Sequence, residues 1–267
     1  MSQLTAVAVI RKNSGLLAAF IKRDLQNRYA GSVAGMAWAL LHPLALLALY
    51  ALVFEAIFRV KVPDLSVGQP YVVFIAVVLW PWMAFQEGIN RGTTAIQNHG
   101  ALIKKVAFEH ELLIYSAVLS SFAVHGIGYV LVLSVLTGLG YGIEWANMAI
   151  VVALITALLI MAIAVALVLG AMQVFIRDVE QILSQVTSVL FYATPILFPM
   201  SMVPDWLATG MQFNPLTHIT EPLRLAWLGL GPGNWEAIGL LMLGCLVAFV
   251  LARKFFLRLS PYFEDMV

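Results

Sequence analysis

Residues 145–176 read WANMAIVVALITALLIMAIAVALVLGAMQVFI, running from Trp145 to Ile176 without one Asp, Glu, Lys or Arg. A hydrocarbon core about 30 Å thick takes about 20 helical residues to cross, and a helix satisfies every backbone donor and acceptor within its own segment. The run is therefore a membrane-spanning helix, and it sets the class of the chain. Four more charge-free windows follow the same rule: Tyr29 to Phe54, Leu65 to Gln86, Leu112 to Ile143 and Gln181 to Pro204. A sixth, Ala237 to Ala252, is shorter, and Arg253 and Lys254 extend it by snorkelling. None alternates in polarity over about ten residues, as a barrel strand would. The expectation is an all-α integral membrane protein with six transmembrane helices: a segment 1–32, a transmembrane domain 33–252 and a tail 253–267.

Composition agrees. Of the 267 residues 62% are hydrophobic and 11% charged, too few polar groups to cover a soluble surface. Mean hydropathy is +0.93. Cys245 is the single cysteine, which excludes a disulfide scaffold, and a net charge of +1 argues against a nucleic-acid partner. The first thirty residues are basic and amphipathic, without the apolar stretch and cleavage site of a removable signal. Placing both termini on one side puts 12 of the 15 Lys and Arg residues there, and only Arg59, Lys61 and Arg224 opposite. The positive-inside rule then makes that side cytoplasmic, with Asp64, Trp145 and Trp206 facing out.

Two regions depart from plain spans. From Ser14 to Arg28, Leu17, Phe20, Ile21 and Leu25 share one helical face while Lys22, Arg23, Gln26 and Arg28 take the other. That pattern fits a helix lying in the membrane interface, or a solvated helix against a partner. Between helices five and six, Pro195, Pro199, Pro204, Pro215, Pro222 and Pro232 interrupt sequence rich in Trp, Leu, Met and Phe. Broken, re-entrant helices fit if protein or a cavity satisfies their freed backbone groups; an external loop on the helix ends is the other reading.

Catalytic patterns fail. His110-Glu111 begins an H-E-x-x-H zinc motif, but the second histidine position holds Ile114. Gly138, Gly140 and Gly142 follow a membrane helix, and the glycines from Gly229 to Gly233 precede no Lys-Ser or Lys-Thr, so no Walker loop holds ATP. The long windows carry no Asp, Glu, Lys or Arg to drive an ion-coupled pump. His42, beside Pro43, reads as a histidine bonded to a carbonyl that the proline ring leaves free.

Arg23-Asp24-Leu25-Gln26-Asn27-Arg28-Tyr29, followed by Ser32, Gly35, Trp38 and Pro43, resembles the approach to the first membrane helix in permease subunits of bacterial ABC exporters for cell-surface polysaccharides. Asn98 to Leu113 resembles that family's first cytoplasmic loop, Ile176-Arg177-Asp178-Val179 its Phe-Arg-Asp-Val signature, and Asn214-Pro215 with Arg224 its Asn-Pro…Arg region. Tyr262-Phe263-Glu264-Asp265 is similar to a common ending. The ordered set resembles O-antigen lipopolysaccharide permeases, with teichoic acid and capsule permeases as relatives. There are departures: Phe108-Glu109-His110 stands where the family often has Phe-Pro-Arg, a second proline is missing near Ile114, and Ile176 replaces the signature Phe.

The resemblance implies a bacterial inner-membrane homodimer with two separate ATP-binding cassette subunits, moving a lipid-linked polysaccharide through a channel between the permease copies. This chain would bind no cofactor itself, ATP and Mg belonging to the partner. The ATPase contact would use Lys104, Lys105, Phe108 and Glu109, and Arg177 with Asp178, which otherwise serve as positive-inside anchoring and a surface pair. Arg23 and Arg28 would meet lipid headgroups or the anionic carrier. Tyr50, Phe54 and Phe58 recur every four residues on helix one, and Phe191, Tyr192 and Phe198 lie near the broken end of helix five. Those two helices line the family's channel, where rings suit the C–H faces of a sliding glycan; membrane belt or packing residues are the plainer reading. A drug or lipid exporter of the same class, or a membrane enzyme of polyprenyl-linked glycans, are the rival functions.

Overall fold

The computed structural model describes residues 5–28, 35–59, 70–231 and 234–267. Tyr29, Ser32, Lys61, Asp64, Leu65, Pro232 and Gly233, used in the sequence reading, lie outside them, as does the 32/33 boundary. Among the described residues every regular element is helical: α1 (Ala6–Lys12), α2 (Ser14–Arg28), α3 (Trp38–Ala51), α4 (Tyr71–Asn98), α5 (Gly100–Ile103), α6 (Glu111–Gly138), α7 (Met148–Phe175), α8 (Val179–Tyr192), α9 (Asp205–Gln212), α10 (Thr217–Leu228), α11 (Trp235–Leu259) and α12 (Phe263–Met266).

Five helical stretches are long and apolar enough to cross a membrane: Trp38–Ile57, Tyr71–Asn98, Glu111–Gly138, Trp145–Phe175 and Trp235–Met266. The fifth sequence window does not form one helix of that length. α8 has 14 residues, about 21 Å, and ends at Tyr192. The reason is local: Pro195 has no N–H and disfavours helical backbone at Thr194, so the chain turns.

α4 is the hub, packed by α6, α7, α3, α8 and α10. Without water to drive association, membrane helices close on small residues. A Cβ on Gly92 would come 2.6 Å from the Ala166 Cβ, and one on Gly170 would come 3.1 Å from the Gly92 carbonyl oxygen. Gly92 and Gly170 thus let the α4 and α7 backbones approach.

α2 runs parallel to α6 along its flank. Asn13 donates to Glu109 and Ser120 donates to Asp24, two contacts with the same sequence separation of 96 residues. Leu17 is buried, and Phe20 and Ile21 pack against the core. Part of the apolar face is thus given to protein, and Asp24 and Arg28 on the same flank find ionic partners there, while Phe20, Ile21 and Leu25 stay partly exposed.

At the end of the bundle bearing the described N- and C-terminal segments, Phe263 is fully buried among His110, Phe175 and Phe256, with centroids 5.3–6.2 Å apart. Arg253 does not snorkel: it makes a bidentate pair with Glu111 at 2.7 and 2.8 Å.

Candidate functional site

The face Leu79, Trp82, Met83 and Gln86 of α4 meets His42, Leu46 and Tyr50 of α3 and Ser188, Phe191 and Tyr192 of α8 around a groove of about 300 Å³. Tyr50 stacks on Phe191 at 6.0 Å, and Phe191 meets Trp82 at 5.8 Å and Tyr192 at 5.2 Å. Phe54 links Tyr50, Phe58 and Tyr71 at 5.5–6.5 Å. Five of the six expected rings therefore form one cluster. Phe198 packs half-buried against the core and enters no ring contact among the described residues. Trp82 and Tyr71 were missed, although Leu79, Trp82, Met83, Gln86 and Asn90 recur at helical spacing.

Toward the terminal end the groove adjoins a polar chamber of about 430 Å³, with His42, Met83 and Gln86 lining both. Its wall holds two ion pairs between α2 and α4, Arg28 with Glu87 and Asp24 with Arg91. Ser120 donates to Asp24, and His125 Nε2 lies 2.7 Å from Glu87. The spacing of four residues on each helix makes the pairs antiparallel rungs of one ladder.

Two expectations are revised here. The Arg28 side chain is 6% exposed and turned to Glu87, while Arg23 is exposed. A buried guanidinium requires a nearby anion, and the window that ended at Gln86 hid the fact that α4 continues through Glu87 and Arg91. His42 makes no hydrogen bond to the described residues and borders both cavities instead of bonding a carbonyl.

At the terminal end, Lys104, Lys105 and Val106 are exposed. Phe108 is half-buried, edge-on to Phe20 at 5.6 Å and to His110 at 5.4 Å. Glu109 pairs with Lys12 at 3.5 Å. Burial holds the His110 imidazole below its usual pKa, against the pull of Glu264, so the ring stacked on Phe263 is neutral near neutral pH. Arg177 and Asp178 are exposed, with no ion pair between them among the described residues. Their turn is tied down by Gln173, which accepts from the Glu180 amide at 2.9 Å and donates to Gln97 at 3.1 Å.

At the other end, the turn after α8 is sealed by side chains. Asn214 donates to the Ala193 carbonyl at 3.1 Å and to Thr194 at 2.9 Å; Arg224, 3% exposed, donates to the carbonyls of Pro195 and Ile196 at 2.7 and 2.9 Å. Tyr71 donates to the Leu197 carbonyl. The proline-broken backbone is thus satisfied by protein, and the Asn-Pro…Arg motif is the clamp that does it.

A helical membrane bundle with an aromatic groove running into a polar chamber, and exposed loops at one end, defines a multi-pass membrane protein of transport type. The chain belongs to the ABC-2 type transporter family, whose model matches residues 15–228. It is 30% identical over 209 residues to the O-antigen export system permease protein RfbA of Myxococcus xanthus, covering 77% of each chain. It is 24% identical over 261 residues to RfbA of Klebsiella pneumoniae, covering 94% of this chain and 95% of that one. It is 24% identical over 209 residues to the polysialic acid transport protein KpsM of Escherichia coli, covering 78% and 79%. The family is the one that the ordered motifs resembled.

Proposed function

We infer that the chain is the permease subunit of an ATP-driven exporter that moves a lipid-linked polysaccharide of O-antigen type across the bacterial inner membrane. Two copies enclose the channel, and two ATPase subunits dock at the terminal end, which is cytoplasmic. The observation that carries this reading is the groove of Tyr50, Trp82, Phe191 and Tyr192, which offers rings without fixed charge along a path that joins a polar chamber. Such a wall lets hydroxyls and C–H faces slide without trapping them. Tyr192 is 65% exposed and Val189 67%, leaving one side of the groove for the second copy.

In this reading α8, about 21 Å long, and the clamped turn that follows it together make the fifth crossing, and α11 the sixth. α9 and α10, of 8 and 12 residues, are too short to cross about 30 Å and return within the outer leaflet. Lys104, Lys105, Glu109, Arg177 and Asp178 face the ATPase, and Arg23 meets the headgroups. Deleting the gene should remove the surface glycan and accumulate it inside; unchanged surface glycan without accumulation refutes the reading. Complementing the deletion with a Tyr50→Ala, Tyr192→Ala double variant should give export slowed about tenfold while ATP hydrolysis continues, since each ring contact is worth about 0.5–1.5 kcal/mol. Normal export from that variant assigns the rings to packing.

A further inference from the structure

Three polar side chains in the chamber, His42, Gln86 and Asn90, make no hydrogen bond to the described residues. Gln86 and Asn90 are half-buried on α4, and His42 and Trp38 stand exposed beside them on α3. Buried His125 Nδ1 and Arg91 Nε also lack partners among the described residues. A polar side chain on a membrane-spanning helix is costly unless something satisfies it, so the chamber is built for a ligand rich in hydroxyls or for water that such a ligand displaces.

Charge selects between ligand classes. The cations in the wall, Arg28 and Arg91, are matched one for one by Glu87 and Asp24. A diphosphate would bring two or more negative charges to a wall with no net positive charge. An uncharged sugar keeps the ladder intact and uses what remains: amide and imidazole groups that donate and accept, with an indole ring for a C–H face. We propose that His42, Gln86 and Asn90, with Trp38, form a subsite for neutral sugar units of the glycan at the inner mouth of the groove, and that this subsite does not hold the carrier's phosphates. This rests on the exporter reading and deepens it. His42 and Gln86, shared by both cavities, hand the sugar from hydrogen bonds to ring contacts.

The test uses the full-length permease with its ATPase in native membranes, in a Cys245→Ser background carrying Asn90→Cys. The strain is one whose surface glycan has been shown to depend on this gene, so failure of the exporter reading is detected separately. Methanethiosulfonate reagents of similar size, one cationic and one anionic, are applied to membranes from cells making the glycan and from cells blocked before sugar is added to the carrier. The proposal expects labelling without glycan, protection of about fivefold or more with it, and similar rates for the two reagents once each is scaled to its rate with a free thiol in solution. Equal labelling in both membranes, or none in either because a second copy covers the position, overturns it. A rate preference for the anionic reagent in the ~10–10³ range of a one-sign cleft assigns the chamber to phosphate instead. Gln86→Leu, in the same strain, should cut export severalfold at normal membrane abundance, as loss of a sugar hydrogen bond does; undiminished export also overturns the proposal.

Discussion

The Arg224 guanidinium donates to the carbonyls of Pro195 and Ile196, pairs with Glu221 and lies 3.8 Å over the Phe74 ring. Its removal strands two carbonyls and takes the cation away from Glu221 at once. With about 1–3 kcal/mol for each buried group left unsatisfied, Arg224→Ala should cost about 3 kcal/mol, read as a lower melting temperature of the purified chain in detergent. Arg224→Lys keeps the charge without the planar fork and should recover only part of the loss. A melting temperature unmoved by Arg224→Ala would show that the turn holds itself. The same turn follows Tyr192 and its neighbour Phe191, so the clamp positions the groove's rings although it touches neither.

At the scale of elements, the exposed loop before α6 and the packing of α2 must be separated. Phe108 lies between Phe20 and His110, so Phe108→Asp would loosen α2 from α6 as well as alter the loop. Val106, 52% exposed beside Lys104 and Lys105, is the apolar group that the loop offers outward. Val106→Asp should leave the fold within about 0.5 kcal/mol, as surface changes do, yet lower export per ATP hydrolysed. A normal export-to-hydrolysis ratio would move the coupling surface to the Arg177-Asp178 turn. The loop stays in place because Glu111, 1% exposed at the start of α6, is held by Arg253. Breaking that buried pair would cost about 3–5 kcal/mol.

For the whole molecule, the prediction is one of sidedness. In a Cys245→Ser background, an impermeant maleimide applied to spheroplasts, whose inner membrane is open to the reagent, should label Trp206→Cys and spare Lys105→Cys. Both parent side chains are exposed, at opposite ends of the bundle in the proposed topology. The inverse pattern would reverse the orientation drawn from the basic residues. A bundle read in this direction places the polar chamber on the cytoplasmic side and the groove of Tyr50 and Phe191 beyond it. That is the order in which an exported chain meets them.

The membrane class, the positions of most spans and the family were legible in the sequence because each rests on local quantities. A charge-free run of helical length cannot be satisfied in water or as a strand, and the basic residues mark one side whatever the packing. Rings four residues apart on the first membrane helix share a face by helical geometry alone, so Tyr50, Phe54 and Phe58 could be grouped before any contact was seen. Trp82, on another helix, could not, since only the packing of α4 against α8 brings it to Phe191. The ladder was hidden for the same reason. Asp24 and Arg28, and Glu87 and Arg91, each have the spacing of one helix face, but which face meets which depends on α2 lying along α6 beside α4. Charge pairing between helices depends on distances that the fold sets, and the tertiary structure alone makes Arg28 part of the chamber wall.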